Sequence, residues 1–270
     1  MLNFIRRMFG IETDDVLPAV PLETFTIHFP NGQIPLAVQT PNRIDPQSII
    51  EALGLESPTP TIFVSGGAGG MDLDSMSSSR STIEDGLAWF LNEYQVTLLD
   101  GGTSAGVMQL LGLARQRRRY TFPLIGVAPD QVVWLPGRDR SDQQLGDLDA
   151  FHSHFVLPEG TEFGSESETL INLAFALCGR GTRPRLCIVV NGGQIVKREV
   201  HRMTTRDPRF PVLVLEGTGR FADELAQTSR TKVSDDPLIH DILSKGNIHF
   251  QHIKAGPEPL RSWLENYCGF

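Results

Sequence analysis

A chain of 270 residues with 40% apolar and 21% charged side chains can bury a substantial core and has the balance of an ordinary globular protein. Its formal net charge of −8 lacks the basic excess of duplex nucleic-acid binders, so no nucleic-acid partner is expected. No apolar run approaches the ~18 residues of a membrane span, and Cys178, Cys187 and Cys268 show no metal-ligand spacing, as expected of a reduced, cytoplasmic protein without a metal site.

The opening MLNFIRRMFG has basic residues but no long apolar segment with a cleavage site, and reads as a frayed end or a small membrane- or partner-binding hook. Residues 24–39 alternate apolar and polar around Pro30-Asn31-Gly32, which predicts a β-hairpin ahead of the main fold. Asp45, Pro46 and Gly54 then read as the cap, first residue and stop of a helix. Residues 1–57 are accordingly expected to form an N-terminal extension, and 58–270 one domain.

The repeating pattern starts at Thr61 to Ser65, an apolar run ending in Gly66-Gly67-Ala68-Gly69-Gly70. Ile83, Leu87, Phe90 and Leu91 have helical spacing, and Val96 to Leu99 reads as the next strand. The segment Asp100-Gly101-Gly102-Thr103-Ser104-Ala105-Gly106 follows, leading into a helix over 109–115. Here Thr103 or Ser104 is expected to cap the helix, while Gly101 and Gly102 let the backbone turn and approach a bound anion. Further strands are predicted at 123–128, 154–157, 186–190, 211–215 and 248–250, separated by a polar loop at 129–150 and by helices near 167–178, 194–203, 236–244 and 257–267. Apolar strands alternating with helices predict a doubly wound α/β domain, its sheet mostly parallel and covered by helices on both faces.

Glycine turns after four strands, at 66–70, 101–106, 192–193 and 217–219, converge on one edge of such a sheet, where ligands bind. Together they predict a phosphate- or nucleotide-binding crevice, although Gly192-Gly193 alone would serve equally to reverse the chain. A longer turn holds Glu159, Gly160, Thr161, Gly164 and Ser165, and Glu168 follows one turn into the next helix, either to meet ribose hydroxyls or to complement the helix dipole. His152 and His154 start a strand as a pair without a third metal partner. Arg115, Arg117, Arg118 and Arg119 suit a solvated helix end, whereas Arg220, beside Gly217-Thr218-Gly219, can reach a phosphate. The chain has neither a nucleophile elbow nor a P-loop lysine, and 66–70 departs from the dinucleotide fingerprint, so a dehydrogenase is not expected.

These motifs resemble the SLOG superfamily, in particular the prokaryotic (LSDAT-type) relatives of the N-terminal domain of melastatin-type TRP channels. The resemblance rests on Gly101 to Met108, Ile125 to Ala128, His152 to Glu168 and Leu215 to Ala226, in the family's order. It implies a Rossmann-like fold binding a nucleotide-derived messenger, such as ADP-ribose or an NAD-derived molecule, with Asp100, Glu159 or Glu168 on ribose hydroxyls. No cofactor is firmly implied, and since no effector domain accompanies the fold in this sequence, a homo-oligomer or a separate effector protein is expected to carry the signal. The superfamily also contains LOG phosphoribohydrolases, which release a base from a nucleoside monophosphate. Glu168 falls on their catalytic glutamate, while the arginine of their Met-His-x-Arg-Lys segment is replaced in Phe151-His152-Ser153-His154-Phe155, leaving Arg138 or Arg140 to supply the charge. Sensing is thus the leading expectation, ahead of hydrolysis and of a purely oligomerising or partner-docking module.

Overall fold

Side chains alternate across one large sheet, and that alternation sorts the core into two layers. The computed structural model describes residues 17–67, 70–71 and 73–270, so the predicted N-terminal hook and the site candidates Ala68 and Gly69 lie outside the described residues. Eleven strands are described: β1 (Thr24–Thr26), β2 (Leu36–Thr40), β3 (Thr61–Gly66), β4 (Thr97–Asp100), β5 (Leu124–Val127), β6 (Val133–Trp134), β7 (Gly146–Asp147), β8 (His154–Pro158), β9 (Arg185–Val190), β10 (Val212–Glu216) and β11 (Ile248–His252). The nine-stranded sheet runs β1-β2-β8-β5-β4-β3-β9-β10-β11 and is parallel except for the β1–β2 pair.

Helices α1 (Pro46–Leu53), α2 (Leu73–Ser81), α3 (Ala88–Glu93), α4 (Gly106–Arg118), α5 (Ser167–Leu177), α6 (Gln194–Thr205), α7 (Arg220–Thr231), α8 (Pro237–Lys245) and α9 (Pro257–Cys268) cover both faces. Phe63, Leu99, Ile125, Val156 and Val189 point to the layer of α1, α5, α6, α7 and α8. Their strand neighbours Ile62, Leu98, Leu124 and Ile188 point to the layer of α3, α4 and α9. This is the Rossmann-like, doubly wound arrangement, and the strand order reverses between β3 and β9. Between α2 and α3 the helix widens into a six-residue π turn, Thr82–Leu87, where Gly86 lets the chain lie against Pro257.

The N-terminal hairpin forms, with Val38 opposite Thr24, but it does not stand ahead of the sheet. β2 pairs in parallel with β8, Val38 opposite Val156, because Ala37 and Val38 are both fully buried and β2 therefore needs cover on each face. Helix α1 follows its sequence signals: the Asp45 carboxylate accepts from Gln47 N–H at 3.0 Å, and Gly54 closes it at φ 62°.

Neither Thr103 nor Ser104 caps α4, whose N-cap is Ala105 without a side-chain hydrogen bond. The loop at 129–150 explains this, since it folds back as a strap: Asp147 C=O accepts from Ser104 N–H at 2.8 Å, Leu148 bridges Thr103, and Asp149 N–H donates to Gly102 C=O. Gly102 also has a purpose other than approaching a ligand. At φ +65° it packs on Gly126, where an added Cβ would lie 2.8 Å from the Gly126 Cα.

Candidate functional site

At the reversal in strand order a cavity of about 410 Å³ opens, inside the range of about 300–1,000 Å³ usual for ligand sites. The turns after β3 (Gly66, Gly67), β4 (Gly101, Thr103), β9 (Gly193) and β10 (Arg220) all border it. Phe163 and Glu166 come over it from the turn after β8. Phe63, Val64, Met108, Leu170, Ile195 and Val196 make the rest of the wall largely apolar.

Arg220 is the first residue of α7 and holds a left-handed φ of 51°. That conformation lays its side chain across the neighbouring turns: a Cβ on Gly70 would collide with Nη1, and one on Gly193 would meet Nη2 at 2.7 Å. Arg220 is exposed as a residue, and its guanidinium pairs with no carboxylate among the described residues. It stands beside the N-terminal ends of both α6 and α7, where the peptide dipoles already leave positive potential. Two cationic features in one place favour an anion.

Asn191 fixes the turns around that cation. Its Nδ2 donates to Thr218 C=O at 2.6 Å and Gly70 C=O at 3.2 Å, while its own N–H donates to Thr218 Oγ1 at 2.7 Å. Thr218 is thereby fully buried as a tie, and the N–H groups of Gly217 and Gly219 donate to the Asp223 carboxylate.

Two carboxyls stand on the side of α5 and α6. Glu166 is 7% exposed and accepts from Gly164 N–H at 2.6 Å. Burial raises its pKa to about 7; the backbone N–H groups of Glu166 and Gly164 pull against that and nearby Glu199 adds to it. Glu199 borders the cavity behind it, accepting from Ser65 Oγ and from Ser167 Oγ at 2.6 Å. Burial holds the Glu199 carboxyl above the usual carboxylate range although both hydroxyls stabilise its charge.

The floor after β4 rests on a buried charged cluster. His152 Nε2 lies 2.8 Å from Asp100 Oδ1 and Nδ1 lies 3.2 Å from Asp149 Oδ1, and Asp100 Oδ1 also accepts from Gly102 N–H at 2.8 Å. Burial opposes a charge on His152, but the two carboxylates overcome it and push the imidazolium up to about 10. Asp100 is therefore a support beneath the turn, with one oxygen, Oδ2, buried and without a partner among the described residues.

The family model described as SLOG in TRPM, prokaryote, matches residues 59–260, which hold every strand end bordering the cavity. The chain belongs to this family. Among known proteins, the SLOG domain is 28% identical over 235 residues to the transient receptor potential cation channel trpm of Drosophila melanogaster, covering 74% of this chain and 12% of the channel. It is 32% identical over 179 residues to the human transient receptor potential cation channel subfamily M member 7, covering 54% and 10%. With subfamily M member 2 of Mus musculus it shares 25% over 247 residues, covering 79% and 16%. The chain thus spans between about a tenth and a sixth of these channels.

Within the SLOG domain, Gly66, Gly67, Gly101, Thr103, Gly193 and Arg220 of the sequence-predicted residues meet at the cavity. Asp100, Gly102, Gly106, Gly192 and Thr218 lie buried around it as framework, and Gly217 and Gly219 complete the turn that ties down α7. Ser104, Glu159, Thr161 and Glu168 are exposed and outside its wall. Gly160 N–H donates to Asp130, Gly164 N–H to Glu166, and Ser165 Oγ to Glu162 C=O, so these three shape the turn after β8. The carboxylate the turn delivers inward is Glu166, two residues before Glu168, because α5 begins at Ser167 and its N-cap position faces the crevice.

His152 and His154 do not converge: the first belongs to the buried cluster, while His154 Nδ1 meets Ser153 Oγ, and burial with Arg115 lowers its pKa. Arg115 donates to the carbonyls of Phe122 and Phe151, Arg117 pairs with Glu84, and Arg118 with Asp85. Arg140 pairs with Asp147, and neither it nor Arg138 borders the cavity. Sequence reasoning missed Glu166, Glu199 and Asn191. Asn191 had a signal, an Asn-Gly-Gly at a strand end, whereas Glu199 is a mid-helix acid of the kind normally left in solvent.

Proposed function

We propose that this SLOG domain is a sensor that holds a nucleotide-derived ligand of the ADP-ribose or NAD-derived class in the cavity between β3 and β9. The observation that carries the reading is Arg220, a cation without an acidic partner among the described residues, set at the start of α7 beside the glycine turns. A phosphate there gains a guanidinium and the ends of two helices, and the apolar wall of Met108, Phe163 and Ile195 suits a nucleobase. Thermal unfolding across ADP-ribose, cyclic ADP-ribose, NAD and AMP tests this. A ligand at 100 times its Kd stabilises the native state by ~2.7 kcal/mol, so at least one compound should raise Tm, and failure of all to do so contradicts the reading.

A second reading, hydrolysis of a nucleoside monophosphate at its N-glycosidic bond, is favoured by one feature. Glu166, rather than the exposed Glu168, puts inside the cavity a carboxyl that titrates near neutrality and suits proton transfer to a departing base. Chromatography of AMP incubated at high protein concentration tests it. Free base that disappears in Glu166→Gln supports hydrolysis, and none at all removes it.

A further inference from the structure

The cavity's polar groups come from the two sides of the reversal in strand order, and they differ in kind. On the β9 and β10 side stands the guanidinium of Arg220 between Gly70 and Gly193. On the other side, from the turns after β4 and β8, stand Thr103 and Glu166.

Thr103 is 4% exposed and borders the cavity, and its Oγ1 is buried without a hydrogen-bond partner among the described residues. Such a group is rare in a native structure and is expected to find its partner in a bound molecule or water. One Glu166 oxygen accepts from Gly164 N–H, and among the described residues no side chain donates to the carboxylate, which leaves it acceptor capacity for a ligand. Glu199, behind it, has both oxygens committed to Ser65 and Ser167 and so does not compete.

A carboxylate repels a phosphate and accepts from hydroxyls, so the two sides of this cavity select different parts of one molecule. We propose that Glu166 and Thr103 together bind the hydroxyls of a pentose whose phosphate lies on Arg220, which makes a ribo-configured sugar phosphate with a free diol the recognised unit. The inference rests on the nucleotide reading above and adds to it a demand on the sugar.

Calorimetric titration of the full chain with AMP, ADP, their 2′,3′-dideoxy counterparts and ADP-ribose tests it. The wild type should bind AMP or ADP at least tenfold more tightly than the matching dideoxy nucleotide. That preference should shrink towards one in both Glu166→Gln and the near-isosteric Thr103→Val, each first checked for a cooperative melt, whereas Arg220→Ala should weaken ribo and dideoxy forms alike. Equal affinity for ribo and dideoxy forms in the wild type overturns the inference. So does an undiminished preference in both variants, or binding of ADP-ribose with none of AMP or ADP. All three results leave the nucleotide reading in place, whereas absence of binding by every compound, ADP-ribose included, ends both.

Discussion

Glu166 and His152 are both buried ionisable groups whose affinities for protons shift upward, and their consequences for stability fall in different pH ranges. For Glu166 the folded pKa of about 7 lies above the ordinary 4.5, so its contribution is complete below 4.5 and is lost as pH rises through about 7. The loss is on the order of 3 kcal/mol. Melting of wild type and Glu166→Gln at pH 5 and pH 8 should therefore show the wild type losing ground by several degrees at the higher pH; a constant difference would mean that Glu166 is already ionised in the fold.

His152 acts later: its contribution is present below 6.5 and disappears as pH rises through about 10. Replacing Asp100 leaves His152 with Asp149 alone and takes a charged acceptor from Gly102 N–H, which costs about 1–3 kcal/mol. Urea unfolding of Asp100→Asn at pH 7 should register a loss of that order, and a change below 1 kcal/mol would show that Asp100 does not support the turn.

Among the elements, the turn from β4 into α4 shows both how far the sequence could be read and where it stopped. Its strand, glycines and helix follow directly from apolar spacing and turn chemistry. The strap of Asp147, Leu148 and Asp149 does not, because it arrives from a polar loop more than forty residues away in sequence and pairs through backbone groups that every residue has. The same limit applies to Glu166 and Glu168: both are acids in one helix start, and only the exact entry of α5 decides which faces the cavity. Arg220 was legible because a cation after Gly-Thr-Gly is unusual chemistry at a place where parallel strands end. Gly102→Ala puts a Cβ against the Gly126 backbone at a positive φ, so equilibrium unfolding should show a loss above 1 kcal/mol. A neutral substitution would mean that β4 and β5 separate readily at this end.

At the scale of the whole molecule, the nine-stranded sheet extends beyond the family-matched region, residues 59–260, because β2, with β1 outside it, pairs with β8. Ala37 and Val38 are fully buried there, and Ile49, Ile50 and Leu53 of α1 pack into the same core as α5. A chain starting at residue 58 should accordingly expose the β8 edge and aggregate or lose cooperative unfolding. Retention of the full-length Tm would show that the first 57 residues are separable.

The same sheet brings five glycine-turn residues, and one cation without an acidic partner among the described residues, together at the cavity, and this convergence is proposed to hold a nucleotide's phosphate. Calorimetric titration of wild type and Arg220→Ala with ADP-ribose decides whether it does. The wild type should bind saturably and Arg220→Ala at least tenfold more weakly, with the variant's melt unchanged in the absence of ligand. Equal affinity of the two proteins would contradict it.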